Sequence, residues 1–86
     1  MARLEMIAAD MSTSACPADV LFSLGLMYCN GRGVERDYVA AHKWFNLAAL
    51  KGNAEARSFR AEIAIEMSPG EIGEAQRLAR HWLNLH

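Results

Sequence analysis

Two cysteines, three histidines and a scatter of carboxylates are the side chains here that could carry chemistry, and spacing decides how far each reading goes. Cys29, Asp37 and His42 lie close in sequence; an imidazole held by a carboxylate beside a thiol would make a nucleophile. That chemistry needs the three groups to converge, and nothing in their spacing requires it. Cys16 and Cys29 lack the Cys-x-x-Cys spacing of a zinc or redox pair and can form one bridge at most. They read as free, partly buried thiols of a reducing compartment. His42, His81 and His86 show no metalloprotease-type pairing, so no metal site is expected; His42 reads as a solvated or interhelical hydrogen-bonding residue. Gly31-Arg32-Gly33 has the backbone freedom to cradle a phosphate. It lacks a preceding strand and the Lys-Ser/Thr end of a phosphate-binding loop, and so reads as a structural turn. No catalytic residue and no cofactor is expected; a small hydrolase or thiol enzyme is the remote alternative.

Composition bounds what the remaining residues can build. Eighty-six residues make one domain at most, and a chain this small buries only roughly 60–65% of its unfolded surface. Its apolar fraction of 52%, rich in Ala, Leu and Met, suits closely packed helices. The net charge is −1 with both signs interspersed, which is not the footprint of a nucleic-acid binder. Arg77 and Arg80 share a helix with Glu71 and Glu74 and read as a solvated, ion-paired face. Glu5 and Asp10 interrupt any apolar core at the N-terminus, and no run reaches transmembrane length. Thr13-Ser14-Ala15-Cys16 lacks the apolar stretch that would make it a lipoprotein cleavage site. A cytoplasmic protein with no membrane partner is expected.

Periodicity and punctuation then predict five helices. Leu4, Ile7, Ala8 and Met11 share one face of a first helix over about 2–10. A second runs over about 17–29, with Pro17 in its first turn; Val20, Leu24 and Tyr28 lie on one side, and Phe22, Leu26 and Cys29 on the other. Gly31 and Gly33 end it by permitting positive φ, with Val34 plugging the turn. Asp37 is placed to cap a third helix over 38–50, closed by Lys51-Gly52. A fourth spans about 54–67 with Ala56, Phe59, Ile63 and Met67 inward. Ser68-Pro69-Gly70-Glu71 has the form of a capping box opening a fifth, which runs to about Leu85. No segment reads as a strand; the fold class is all-α.

The chain also repeats itself. Residues 17–28 align with 53–64, pairing Gly25 with Ala61, and the helices that follow pair Phe45 with Ala79. Such periods mark stacked helix pairs. Within the first unit stand Leu24-Gly25 and Tyr28, then Gly31-x-Gly33-Val34, then Asp37, Ala41, Trp44-Phe45, Ala48-Ala49 and Gly52. This order resembles a Sel1-like repeat, a relative of the tetratricopeptide repeat. The second unit departs from it: Arg60-Ala61 stands for Leu-Gly, Ala64 for Tyr, and Ser68-Pro69-Gly70 for the glycine turn. Its ending, Ala75-Gln76-Arg77-Leu78-Ala79, is similar to the terminal unit of bacterial members.

The resemblance implies a short α-solenoid of antiparallel helix pairs whose first helices line a concave surface. It also implies an adaptor without catalysis of its own. One domain over 1–86 is expected, with an N-terminal capping helix and loop at 1–15, a full repeat at 16–52 and a degenerate capping repeat at 53–86. Gly25 is expected to meet the facing helix near Ala41 or Trp44. The N-terminal helix, or a second copy, is expected to cover Phe22 and Leu26. Trp44 and Phe45 read as core. For a partner protein or peptide the candidate contacts are Ser23, Leu26, Asn30, Arg57 and Arg60 on the concave face. Trp82 is a candidate contact at the open end, where a homo-oligomer is the alternative.

Overall fold

The computed structural model describes residues 17–85, and over them the chain forms α1 (Ala18–Asn30), α2 (Tyr38–Leu50), α3 (Ala54–Ala64) and α4 (Pro69–Leu85). The all-α class holds, with four helices rather than five among the described residues. The helix expected over 2–10 lies outside them. The bounds of α2 agree with the sequence reading, whereas α3 stops at Ala64 instead of Met67. There the chain tightens: Glu66 N–H bonds to the Ile63 carbonyl at 3.0 Å and Met67 N–H to that of Ala64 at 3.1 Å. These i→i−3 bonds end the helix ahead of Pro69, whose ring disfavours a helical Ser68.

The punctuation acts as its chemistry requires. Gly31 (φ 69°) and Gly33 (φ 76°) hold left-handed conformations that a side chain would strain. With Gly31 so turned, Arg32 N–H bonds to the Met27 carbonyl at 3.0 Å, and the carbonyl of Tyr28 accepts from Asp37 N–H at 2.9 Å. That bond holds Asp37 at the start of α2, where its Oδ1 accepts from the N–H groups of Val39 (3.0 Å) and Ala40 (3.2 Å). At the far end Gly52 N–H reaches the Ala49 carbonyl and Asn53 N–H that of Ala48, at 3.1 and 2.9 Å, a Schellman closure. Asn53 then caps α3 through Ala56 N–H at 2.9 Å. Ser68 and Glu71 form a reciprocal capping box at the start of α4, with bonds of 3.1 and 2.8 Å.

α2 is the central element, and α1, α3 and α4 each pack against it. Five of the buried residues belong to it: Ala41, His42, Phe45, Leu47 and Ala48. The ring of Phe45, fully buried, meets Phe22 of α1 at 5.7 Å and Phe59 of α3 at 5.6 Å, and those two rings meet each other at 5.4 Å. Gly25 makes this cluster possible. A Cβ added there would collide with Cδ1 and Cε1 of Phe45 and fall 3.1 Å from Cγ. The atoms met first are therefore those of the Phe45 ring, next to Trp44 and one turn on from Ala41. Phe22 meets Phe59 within the stack and is half-buried, as is Leu26; the N-terminal helix expected to cover them lies outside the described residues.

The second unit is built more loosely. α3 and α4 both lean on α2 without packing closely on each other. The repeat alignment gives the reason: the ring of Phe45 and the gap at Gly25 become Ala79 and Ala61, so no side chain inserts into the facing helix. Ala61 is exposed, and so is Ile65 at the turn, at 85%. α4 is anchored instead through buried Ala75 and Ala79 and through Trp82, which stands edge-on to Trp44 at 6.0 Å.

Candidate functional site

The outward side of α1 carries a depression of about 230 Å³ lined by Ser23, Leu26, Met27, Asn30 and Arg32. Helical spacing aligns Ser23, Leu26 and Asn30 along one flank, and the left-handed turn at Gly31 folds Arg32 back beside them. Ser23 and Asn30 are exposed and Leu26 is half-buried, so the surface offers two polar handles around one apolar side chain.

Three other residues singled out from sequence stand elsewhere. Arg57 lines a separate depression of about 160 Å³ with Ala49, Gly52, Asn53 and Ala54, at the junction of α2 and α3. Arg60 turns inward and donates from Nη1 to Oδ1 of Asn46 at 2.6 Å, tying α3 to α2. Trp82 is half-buried against Trp44; the exposed apolar side chains at this end are Leu83 and Leu85.

A third depression, of about 620 Å³, escaped sequence reasoning. Tyr28, Glu35, Arg36, Asp37, Tyr38 and Glu71 surround it where the ends of α1, α2 and α4 meet. The sequence signal was the pair of tyrosines flanking the glycine turn. Much of its polar capacity is already engaged. Asp37 and Glu71 cap helices, and the Arg36 guanidinium sits 5.4 Å from the centre of the Tyr38 ring.

The titratable groups argue against an activated nucleophile. Burial pushes the Cys29 thiol up, with Arg36 lowering it in part and Glu62 raising it, so the protonated form is favoured. His42 is only 4% exposed, and its Nδ1 has no hydrogen-bond partner among the described residues. Burial, with a smaller push from the Arg60 cation, lowers its pKa and favours the neutral ring. Its place is thus interior rather than solvated. Lys43 is also lowered by burial, with Nζ 4.0 Å from the centre of the Trp44 ring, while Asp37 acts in the opposite direction. On α4 the expected ion pairing narrows to Arg77 with Glu74 at 2.6 Å, since Glu71 serves the capping box. The hydrogen bond from Arg77 lowers the Glu74 carboxyl, and Glu74 raises Arg77 in return.

Among the described residues no group of three His, Cys, Asp or Glu side chains is arranged to hold a metal ion. No described helix is long and apolar enough to cross a membrane. What remains is a helical stack with shallow, mixed-polarity depressions on its outer faces.

Residues 18–53 match the family model of the Sel1 repeat. Over that segment, somewhat less than half of its length, the chain is similar to a Sel1 repeat. The matched repeat runs through α1, the glycine turn and α2 to Asn53, the residue that caps α3. Sel1 repeats generally mediate contacts between proteins, and proteins built from them are typically scaffolds rather than enzymes. Neither the curated proteins nor the solved structures contain a match to this chain.

Proposed function

We propose that this Sel1-like chain is an adaptor module that seats a peptide segment of a partner protein on α1, over the depression formed by Ser23, Leu26 and Asn30. The observation that carries the reading is the juxtaposition of those three side chains beside Met27 and Arg32 in one depression. Leu26 supplies an apolar anchor, while Ser23, Asn30 and Arg32 supply donors that fix a partner's backbone or acidic groups. Arg57, in its own depression at the junction of α2 and α3, is proposed as a separate second contact, and Arg60 is tied to Asn46 and serves the stack instead. The working unit is the single domain 1–86, with the repeat at 16–52 flanked by caps at 1–15 and 53–86. A bacterial cytoplasm is the proposed setting, in keeping with the free Cys29 thiol. No nucleic acid, membrane or cofactor enters the reading.

Affinity capture from the native host, followed by cross-linking mass spectrometry, tests it. A specifically captured protein should cross-link close to α1, and Leu26→Glu combined with Asn30→Ala should release it while helical circular dichroism is unchanged. Capture undiminished by the double variant would refute the reading. Self-association is a second reading, favoured by the exposed Leu83 and Leu85 at the end of α4. It requires a mass that falls on dilution, and a monomer at every concentration removes it.

A further inference from the structure

Charge is distributed unevenly along the outward stripe of α1. Asp19, Ser23, Leu26 and Asn30 recur at i, i+4, i+7 and i+11, a spacing that keeps them on one flank of the helix. Asp19, Ser23 and Asn30 are exposed, and Leu26 is the half-buried apolar side chain among them. The stripe begins on a carboxylate. It ends on a guanidinium, because the turn at Gly31 brings Arg32 into the depression that Ser23, Leu26 and Asn30 line. Asp19 and the backbone of Arg32 are both held in place. Asn53 Nδ2 donates to Asp19 Oδ1 at 3.3 Å while Asn53 Oδ1 caps α3, and Arg32 N–H bonds to the Met27 carbonyl at 3.0 Å. Among the described residues the one ion pair joins Arg77 to Glu74, so neither end of the stripe is neutralised there. The second unit lacks this pattern. A shift of 36 places Asp19 on Glu55, Leu26 on Glu62, Asn30 on Glu66 and Arg32 on Ser68, all of them exposed. That stripe has neither an apolar anchor nor a cation. Glu62 also raises the Cys29 thiol, which puts its charge beside the last turn of α1.

We infer, resting on the peptide site proposed above, that the partner segment seated on α1 is extended and dipolar. It carries a basic residue at Asp19, an apolar one on Leu26 and an acidic one at Arg32. Helix geometry sets the spacing. Asp19 lies eleven residues before Asn30, about 17 Å along the axis, which an extended segment crosses in about five residues. Leu26 divides that span into about 10 Å and about 6 Å, or about three residues and two. The partner's apolar residue therefore stands closer to its acidic residue than to its basic one, whichever way its chain runs. A uniformly acidic segment is a poor match, because Asp19, and Glu62 on the α3 side, repel it. A uniformly basic one places a cation against Arg32. Opposed charges at the two ends thus fix the register in which the segment lies, and Leu26 supplies the apolar contact between them.

Random twelve-residue peptides displayed on phage, selected on the full chain, provide the test. Peptides captured by the wild type and lost with Leu26→Glu should carry a basic and an acidic residue about five apart, with an apolar residue nearer the acidic one. Selection on Arg32→Glu should replace the acidic residue by a basic one. Selection on Asp19→Asn, which keeps an oxygen for Asn53, should drop the basic residue and retain the acidic one. A synthetic peptide of the wild-type consensus should bind Arg32→Glu at least about ten-fold more weakly and regain affinity when its acidic residue is changed to Lys. Circular dichroism checks the helices of each variant, and the wild-type consensus alone decides the matter if a variant unfolds. Leu26-dependent peptides that lack the pair of opposite charges, or hold the apolar residue nearer the basic one, overturn the inference and leave the peptide site standing. Selection that yields no Leu26-dependent peptide overturns the site and the inference together.

Discussion

Alanine at Gly25 and alanine at Gly73 are the same chemical change on two helices, and the structure gives them opposite signs. Both glycines are helical, so on backbone propensity alone each substitution should stabilise by about 1 kcal/mol. Around Gly73 nothing lies within 4 Å of the added methyl group, and the residue is exposed. Gly73→Ala should keep the full gain. At Gly25 the methyl group collides with two ring atoms of Phe45, a residue with no exposure whose ring is held by Phe22 at 5.7 Å and Phe59 at 5.6 Å. The ring has nowhere to swing, so α1 and α2 must separate. An overpacked core site typically costs about 1–3 kcal/mol, and separation also forfeits dispersion contacts along the helix pair. After the propensity gain, Gly25→Ala should lose about 1–2 kcal/mol. At roughly 4–8 °C per kcal/mol for a domain of this size, the melting temperature should drop by about 5–15 °C, against a rise of several degrees for Gly73→Ala. Thermal and urea unfolding followed by circular dichroism measure both, and Phe45→Leu in the Gly25→Ala background should recover part of the loss. Equal stabilisation by the two alanines would refute the packing argument, because it would mean that α1 and α2 do not close at Gly25.

Three further outcomes follow from named groups. Asp37→Ala removes the acceptor for Val39 and Ala40 N–H and should cost about 1 kcal/mol in urea unfolding; Asp37→Ser should retain most of the stability, and an equal loss from both would deny the cap its role. The His42 pKa is depressed in the folded protein below its ordinary 6.5, so the unfolded chain takes up the proton first. Stability from this group is complete above about pH 6.5 and falls as the pH drops through that value toward the folded pKa, and His42→Gln should flatten the decline; an identical pH profile in the variant would assign the effect elsewhere. Trp82→Leu removes the edge-on contact with Trp44, worth about 0.5–1.5 kcal/mol beyond area, and should shift the emission of Trp44, now the sole tryptophan, to longer wavelength; unchanged emission and stability would refute the contact.

Much of the local structure was legible because its causes are local. Asp37 and the Ser68/Glu71 pair cap helices through bonds that span two or three residues, and Gly31 and Gly33 turn the chain through their own dihedrals; the Asn53 cap is of the same kind but was not singled out. The end of α3 was misplaced by three residues, from Met67 to Ala64. The apolar spacing continues through Met67, which is buried, although the backbone there has already tightened into the turn. For the candidate surface, helical spacing sufficed to group Ser23, Leu26 and Asn30 on α1. It did not suffice for Arg57 and Arg60, which are separated by whether a guanidinium finds Asn46 on the neighbouring helix.

From residue types and order alone come the helices, their punctuation, the repeat and the small residue at Gly25, since each depends on neighbours along the chain. Tertiary structure decided which side chain fills the gap at Gly25, which rings Phe22 meets, and that His42 is interior. It also decided that α3 and α4 lean on α2 instead of closing on each other. Those outcomes depend on the angle and depth at which helices cross, and a spacing pattern constrains which face is buried without naming the atoms that meet it.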